Sequence, residues 1–182
     1  MFKRIKSSLT PFQWFEVLAV TGFTIYFAAI DRESSWWYLL VSSLAAVCGI
    51  FCVVLCAAGK KSQYYWGFVN ITAYIVVAWY SRYYGEVMLN ALYYLPTQFV
   101  GMYFWNKHYS QTTGIVKCKK MKPILTAVLV AVSAVCIWLY HIFLSRLGGN
   151  ATWLDSASTT FSVIANALMV LRYRGQWLLW II

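Results

Sequence analysis

Long apolar stretches separated by short polar connections run the whole length of this 182-residue chain. Six of them are long enough to cross a hydrocarbon core of roughly 30 Å as helices: Phe12–Ile30, Trp36–Ala58, Tyr64–Tyr80, Val87–Trp105, Pro123–Leu144 and Trp153–Leu171. A seventh begins near Gln176 and stops at Ile182, too short to cross. The longest polar connection is Asn106–Lys122, so no soluble domain stands between the stretches. The pattern predicts an all-α integral membrane protein.

Within the fourth stretch the apolar pattern is broken. Asn90, Tyr94, Thr97, Gln98 and Gly101 recur at helical spacing around Pro96. Amides at bilayer depth are costly unless they face protein, water or a ligand, so the stripe reads as the wall of a cavity. Pro96 cannot donate to the carbonyl of Leu92, which frees an acceptor and predicts a kink beside Gln98. The sixth stretch carries a second stripe, Asp155, Thr159, Ser162 and Asn166. Serine and threonine often only cement helices, and Asn90 and Gln98 are equally readable as interhelical hydrogen bonders.

Composition supports the membrane assignment, with 62% hydrophobic and 11% charged residues. The net charge of +10 raises the question of nucleic acid, but its placement answers it. Lys3, Arg4, Lys6, Lys60, Lys61, Lys107, Lys117, Lys119, Lys120, Lys122, Arg172 and Arg174 fall on one side of the alternating stretches; only Arg32, Arg82 and Arg146 fall on the other. The positive-inside rule places the N-terminus in the cytoplasm. The basic charge is an orientation signal, with attraction to anionic headgroups as a secondary role and no nucleic-acid partner. Lys3–Lys6 before an apolar run mimics a secretory signal, but the run carries Glu16 and is long enough to span.

Cys48, Cys52 and Cys56 share one face of the second stretch, a spacing that suits packing better than a metal. His108 and His141 have no second ligand in view, so no metal and no cofactor are expected. Asn150-Ala-Thr152 matches a glycosylation sequon, a triplet common by chance.

Sliding the chain on itself by 114 residues lays the second stretch on the sixth, with Ile50 on Ile164, Lys60 on Arg174 and Trp66 on Trp180. Both stretches run in the same direction and end in a basic turn followed by aromatics. Parallel repeats of this kind are related by an axis along the membrane normal. The single transmembrane domain over 1–182 then divides into an N-terminal helix (1–35), a first three-helix unit (36–105), a linker helix (106–150) and the start of a second unit (151–182). The same offset carries Trp105 past Ile182, so the second unit is expected to continue, with its C-terminal end missing here.

Trp66-Gly-Phe-Val-Asn70, Tyr84-Gly-Glu-Val-Met-Leu-Asn90, Tyr94-Leu-Pro-Thr-Gln98-Phe-Val-Gly101 and Trp105 together resemble the PnuC family of bacterial vitamin transporters. So do Asp155-Ser-Ala-Ser-Thr-Thr160 and, above all, Trp177-Leu-Leu-Trp180. The resemblance runs from about Trp36 onward. It implies a three-one-three helix arrangement similar to the SWEET sugar transporters, with an extra N-terminal helix. It also implies a homotrimer in the bacterial inner membrane, with nicotinamide riboside as the usual substrate and thiamine or other vitamins in related members.

The residues agree with such a ligand on their own chemistry. Tryptophan is the best side-chain partner for a pyridinium ring, and Trp177 and Trp180 share one helix face. They are also readable as an interfacial aromatic belt. Gln98, Asn90 and Asn70 offer donors and acceptors suited to ribose hydroxyls and a carboxamide. Tyr94, Thr97 and Asn166 complete the expected binding set. All 15 basic residues lie at or near stretch ends, so nothing deep would neutralise a phosphate.

No Gly-rich phosphate loop marks a pump, and the five acids mostly lie near stretch ends, which argues against proton coupling. Facilitated diffusion by alternating access is the expected mechanism, with net uptake driven by phosphorylation inside the cell. The alternatives are a thiamine carrier, and less simply a membrane-embedded enzyme or scaffold subunit. No Ser–His or HExxH pattern supports an enzyme.

Overall fold

The computed structural model describes residues 9–146 and 152–180. The basic residues Lys3, Arg4 and Lys6, the sequon asparagine Asn150 and the end of the seventh stretch lie outside them. The helices are α1 (Pro11–Ile30), α2 (Trp36–Ala57), α3 (Gln63–Tyr80), α4 (Tyr84–Leu89), a π-helical turn (Asn90–Tyr94), α5 (Leu95–Lys107), α6 (Pro123–Arg146), α7 (Thr152–Val170) and α8 (Gln176–Trp180). Among the described residues β-pairing is confined to two isolated bridges, Tyr109 with Val116 and Lys119 with Tyr173.

Contacts divide the chain into two compact units, Met1–Lys117 and Cys118–Ile182. In the first, α1 packs on α2, α2 on α3, and α3 on α5 and on the π turn. In the second, α6 packs on α7 and α7 on α8. Three helices, α1, α2 and α6, are long and apolar enough to cross a membrane by length and composition. The third, fourth and sixth stretches are helical within a few residues of the expected bounds, except that α4 starts the fourth at Tyr84. Their polar positions make them less apolar than α2. Large side chains stand exposed along α1 and α6, including Phe12, Phe15, Phe23, Ile124, Val130 and Trp138, while Val17 is the buried residue of α1. Such surfaces suit hydrocarbon better than water.

Helix starts and stops follow local chemistry. Thr10 Oγ1 accepts from the Gln13 amide at 3.3 Å, and Gln13 Oε1 accepts from the Thr10 amide at 2.9 Å, a capping box with Pro11 in the first helical position. After α1, Asp31 Oδ1 accepts from the amides of Glu33 and Ser34, each at 3.0 Å. The Ser34 backbone bond, followed by its hydroxyl and the Glu33 amide, holds the Asp31 carboxyl below its ordinary value.

The fourth stretch departs from the expected simple kink. The Leu95 amide donates to Asn90 O, five residues back, so the π turn widens the helix just before Pro96. A residue lacking an N–H leaves the preceding turn short of a donor, and the widened turn redistributes those bonds.

The turns that end α2 and α7 share a backbone geometry. At the end of α2, Gly59 has φ +67°, its amide donates to Cys56 O at 2.9 Å, and Lys60 N–H donates to Leu55 O at 2.9 Å. At the end of α7, Arg172 has φ +67°, its amide donates to Met169 O at 3.0 Å, and Tyr173 N–H donates to Leu168 O at 2.8 Å. Both are Schellman caps. The bonds that start α3 (Gln63 to Lys60, Tyr64 to Lys61, Tyr65 to Ser62) have counterparts starting α8 (Gln176 to Tyr173, Trp177 to Arg174, Leu178 to Gly175). Even the carbonyls of Gly59 and Arg172 each receive one outside donor, Val116 N–H at 2.9 Å and Lys119 N–H at 2.7 Å. Within the two turns each matched pair is offset by 113 residues, since Gly59 matches Arg172 and Gln63 matches Gln176; the outside donors Val116 and Lys119 do not share that offset. Matching basic and aromatic residue types favours 114, whereas the two caps align at 113; the same cap also closes α3, where Arg82 has φ +61° and Tyr83 N–H donates to Ala78 O at 2.8 Å, so the cap alone does not mark a repeat.

Candidate functional site

The first unit buries a small polar cluster between α3 and α5, built on glycines. Tyr64 and Gly67 lie three apart on α3; Gln98 and Gly101 lie three apart on α5. The two pairs interlock. A Cβ at Gly67 would stand 2.8 Å from Gln98 Oε1, and one at Gly101 would stand 2.6 Å from Tyr64 Cε1. Each glycine is therefore the notch that admits the other helix's polar side chain. Tyr64 is 1% exposed and Gln98 5% exposed, yet neither Tyr64 Oη nor Gln98 Oε1 has a hydrogen-bond partner among the described residues. Trp105 packs edge-to-face on Tyr64 with centroids 5.5 Å apart, and Cys52 Sγ backs Gly67 from α2.

Buried unpaired oxygens cost about 1–3 kcal/mol each, so two in one cluster call for a partner that completes them. The groups on offer are neutral: an amide oxygen that accepts, and a phenol that donates or accepts. That set suits hydroxyl and carboxamide groups and offers no cation to a phosphate.

The other expected residues of this unit divide by what they touch. Asn70 is half-buried and its Nδ2 donates to Ala45 O at 2.7 Å, over Gly49, whose Cβ would lie 2.9 Å from the same nitrogen. That donor ties α3 to α2. Asn90 is buried, and its Nδ2 donates to Glu86 O at 2.8 Å within its own helix. Thr97 Oγ1 donates to Tyr94 O at 2.8 Å, and the Tyr94 ring meets Tyr93 edge-on with centroids 5.3 Å apart. These residues shape the π turn; Gln98 is the stripe residue that keeps an unspent acceptor.

In the second unit Asn166 is buried on α7. Trp177 and Trp180 open α8, three residues apart and 37% and 45% exposed, so both keep ring surface for a contact. Gln176, just before them, is buried, as is Arg172 at the α7 cap. At the far end of α7, Thr152 Oγ1 lies 2.8 Å from His141 Nδ1, and Trp153 stacks on the His141 ring at 3.8 Å. Cys48 and Cys56 are buried along α2 as packing thiols. Two apolar grooves, one along Val41, Phe68 and Val76 and one along Val132, Tyr140 and Ile164, include none of the expected binding residues.

Sequence reasoning passed over Tyr64, which reads as one aromatic among many in a chain that is 19% aromatic. The available signal was the pairing of a small residue three positions on with another glycine on the stripe of α5.

The family described as nicotinamide mononucleotide transporter matches residues 39–182. A protein of Neisseria mucosa named nicotinamide riboside transporter PnuC is 40% identical over 157 residues, covering 84% of this chain and 58% of that protein. The protein of the same name from Haemophilus influenzae is 36% identical over 173 residues, covering 92% of this chain and 74% of its own length. This chain thus spans between about half and three quarters of these relatives. The crystal structure of the vitamin B3 transporter PnuC superposes with a TM-score of 0.78 at 36% identity, over 96% of this chain and 74% of that one. The chain belongs to the nicotinamide mononucleotide transporter family.

Proposed function

We propose that this chain carries nicotinamide riboside across the bacterial inner membrane by facilitated diffusion, with alternating access and net uptake drawn by phosphorylation inside the cell. The observation that carries the reading is the buried neutral cluster of Tyr64 and Gln98, whose unpaired oxygens match an uncharged sugar and amide. Relatives at 40% and 36% identity are named for the riboside, whereas the family description names the mononucleotide. The cluster's chemistry favours the riboside, because a phosphate dianion without a cation bears a large desolvation cost. Gln98, Asn70, Asn90, Tyr94, Thr97 and Asn166 are proposed to hold or frame the ribose and carboxamide. Trp177 and Trp180 are proposed to take the pyridinium ring through cation–π contact.

The architecture proposed with it is three helices, a linker and three helices, after an N-terminal helix, with α2 to α5 as the first unit and α6 as the linker. The shared cap geometry at Gly59 and Arg172 supports a repeat. A cytoplasmic N-terminus is supported by the basic residues, and a homotrimer rests on the family resemblance.

Binding and proteoliposome uptake test the function directly. Purified protein is titrated with nicotinamide riboside, nicotinamide mononucleotide and thiamine, and uptake of each is followed in sealed vesicles. The reading expects riboside binding and uptake well above both competitors. Equal uptake of the mononucleotide would refute the charge argument, and preferred thiamine binding would move the chain to the thiamine branch. Arg172, the charged side chain buried among the described residues, is the first to replace if the mononucleotide binds.

A further inference from the structure

The two caps match at an offset of 113, and the match reaches beyond the turns. In that register Gln63 corresponds to Gln176, Tyr64 to Trp177 and Gly67 to Trp180. Both glutamines are buried, at 0% and 5% exposure, directly ahead of the aromatic residue. The first repeat therefore holds Tyr64 where the second holds the first tryptophan of its pair. Where the second tryptophan would follow, it has Gly67, and the Gln98 side chain occupies the space.

Tyr64 is not an ordinary core residue. Its ring is held on two sides, by the Gly101 notch and by Trp105, so the position of the hydroxyl is set by packing. That hydroxyl ends in a buried position with no partner among the described residues, as does Gln98 Oε1 beside Gly67. A phenol serving only as bulk would be better replaced by phenylalanine, since burying an unpaired hydroxyl costs free energy. The arrangement keeps the hydroxyl at that cost.

We propose that Tyr64 is a specificity-determining residue of the first repeat, the counterpart of Trp177, and that its hydroxyl hydrogen-bonds a ribose hydroxyl of the substrate. Gln98 Oε1 accepts from a second donor of the same ligand, such as the carboxamide N–H. This rests on the riboside reading above.

The test is Tyr64→Phe, which removes one oxygen and leaves the ring in its notch. Affinity is measured calorimetrically for nicotinamide riboside and for its 2′,3′-dideoxy analogue, beside the thermal unfolding midpoint. The expected result is about three- to tenfold weaker riboside binding, an unchanged affinity for the dideoxy analogue, and an unchanged or raised midpoint. Equal riboside affinity in wild type and variant overturns the proposal, and so does an equal loss for both ligands, which would make Tyr64 a packing residue. Wild-type protein that fails to bind the riboside at all would instead overturn the transport reading, so the two failures are separable.

Discussion

Replacing Gln98 by methionine separates binding from packing, because the two roles predict opposite signs for stability. Methionine is unbranched, of similar length, and adaptable enough to fill the Gly67 notch without opening a cavity. It deletes an amide oxygen that is buried and has no partner among the described residues. If that oxygen is unsatisfied in the unliganded protein, its removal returns a desolvation penalty of about 1–3 kcal/mol. The empty carrier should therefore unfold at equal or higher temperature as Gln98→Met. Ligand binding should suffer by a similar amount, because the ligand's donor now enters a dry site and finds a thioether. A loss of about 1–3 kcal/mol corresponds to roughly 5- to 150-fold in Kd.

The assay is a paired one in the same detergent: thermal unfolding without ligand, and calorimetric titration with nicotinamide riboside. Raised or equal stability with weakened binding is the expected pair. A drop in stability with unchanged affinity would refute the reasoning, for it would mean that Gln98 serves as an interhelical hydrogen bonder whose partner forms outside this arrangement.

The remaining expectations follow from the same geometry. Gly101→Ala drives a methyl into the Tyr64 ring, which is rigid and backed by Trp105, so stability should fall by about 1–3 kcal/mol in thermal or denaturant unfolding. Gly67→Ala meets the flexible end of Gln98 and, at 3.3 Å, Cys52 Sγ, so it should largely spare the fold and weaken binding in the same titration. The lowered Asp31 carboxyl is deprotonated more readily in the folded chain, so its contribution is present above the ordinary value of 3.8 and lost as pH falls below it; Asp31→Asn should flatten the acid limb of a stability–pH curve. Trp177→Leu or Trp180→Leu should cost about 0.5–2 kcal/mol of binding for the charged riboside, and Phe less, with a ligand lacking the ring cation almost indifferent in parallel titrations.

The helices were legible because their physics is local. Length, apolar content and the caps at Pro11 and Pro123 set α1, α2 and α6 within a few residues. The fourth stretch was legible as a polar stripe and not as a shape. Pro96 announces a disturbed turn, but whether the helix kinks or widens depends on which donor replaces the missing one, and Leu95 reaching Asn90 is decided by packing. The likeness of the two turns was legible, but not the offset at which their backbones align. Lys60 and Arg174 resemble one another in charge, while the left-handed residues that fix the offset, Gly59 and Arg172, share no chemistry.

The site shows the same limit more sharply. A stripe of polar residues on one helix says that something is faced, and Gln98 is the member whose oxygen is buried with no partner among the described residues. Sequence spacing alone does not distinguish an amide spent on its own backbone, as Asn90 spends its donor on Glu86 O, from one held in reserve. That difference is made by the facing helix. Gln98 stays unpaired because Gly67 removes the side chain that would otherwise fill its place, and Tyr64 stays unpaired because Gly101 does the same. A glycine in a membrane helix is usually read as permission for close backbone approach. Here the two glycines instead admit polar groups into an interior where they are costly, and on the proposed reading that cost is recovered when a ligand with matching donors arrives. On that reading the glycines belong to the recognition surface, and a carrier with alanine at both would be expected to be a poorer binder.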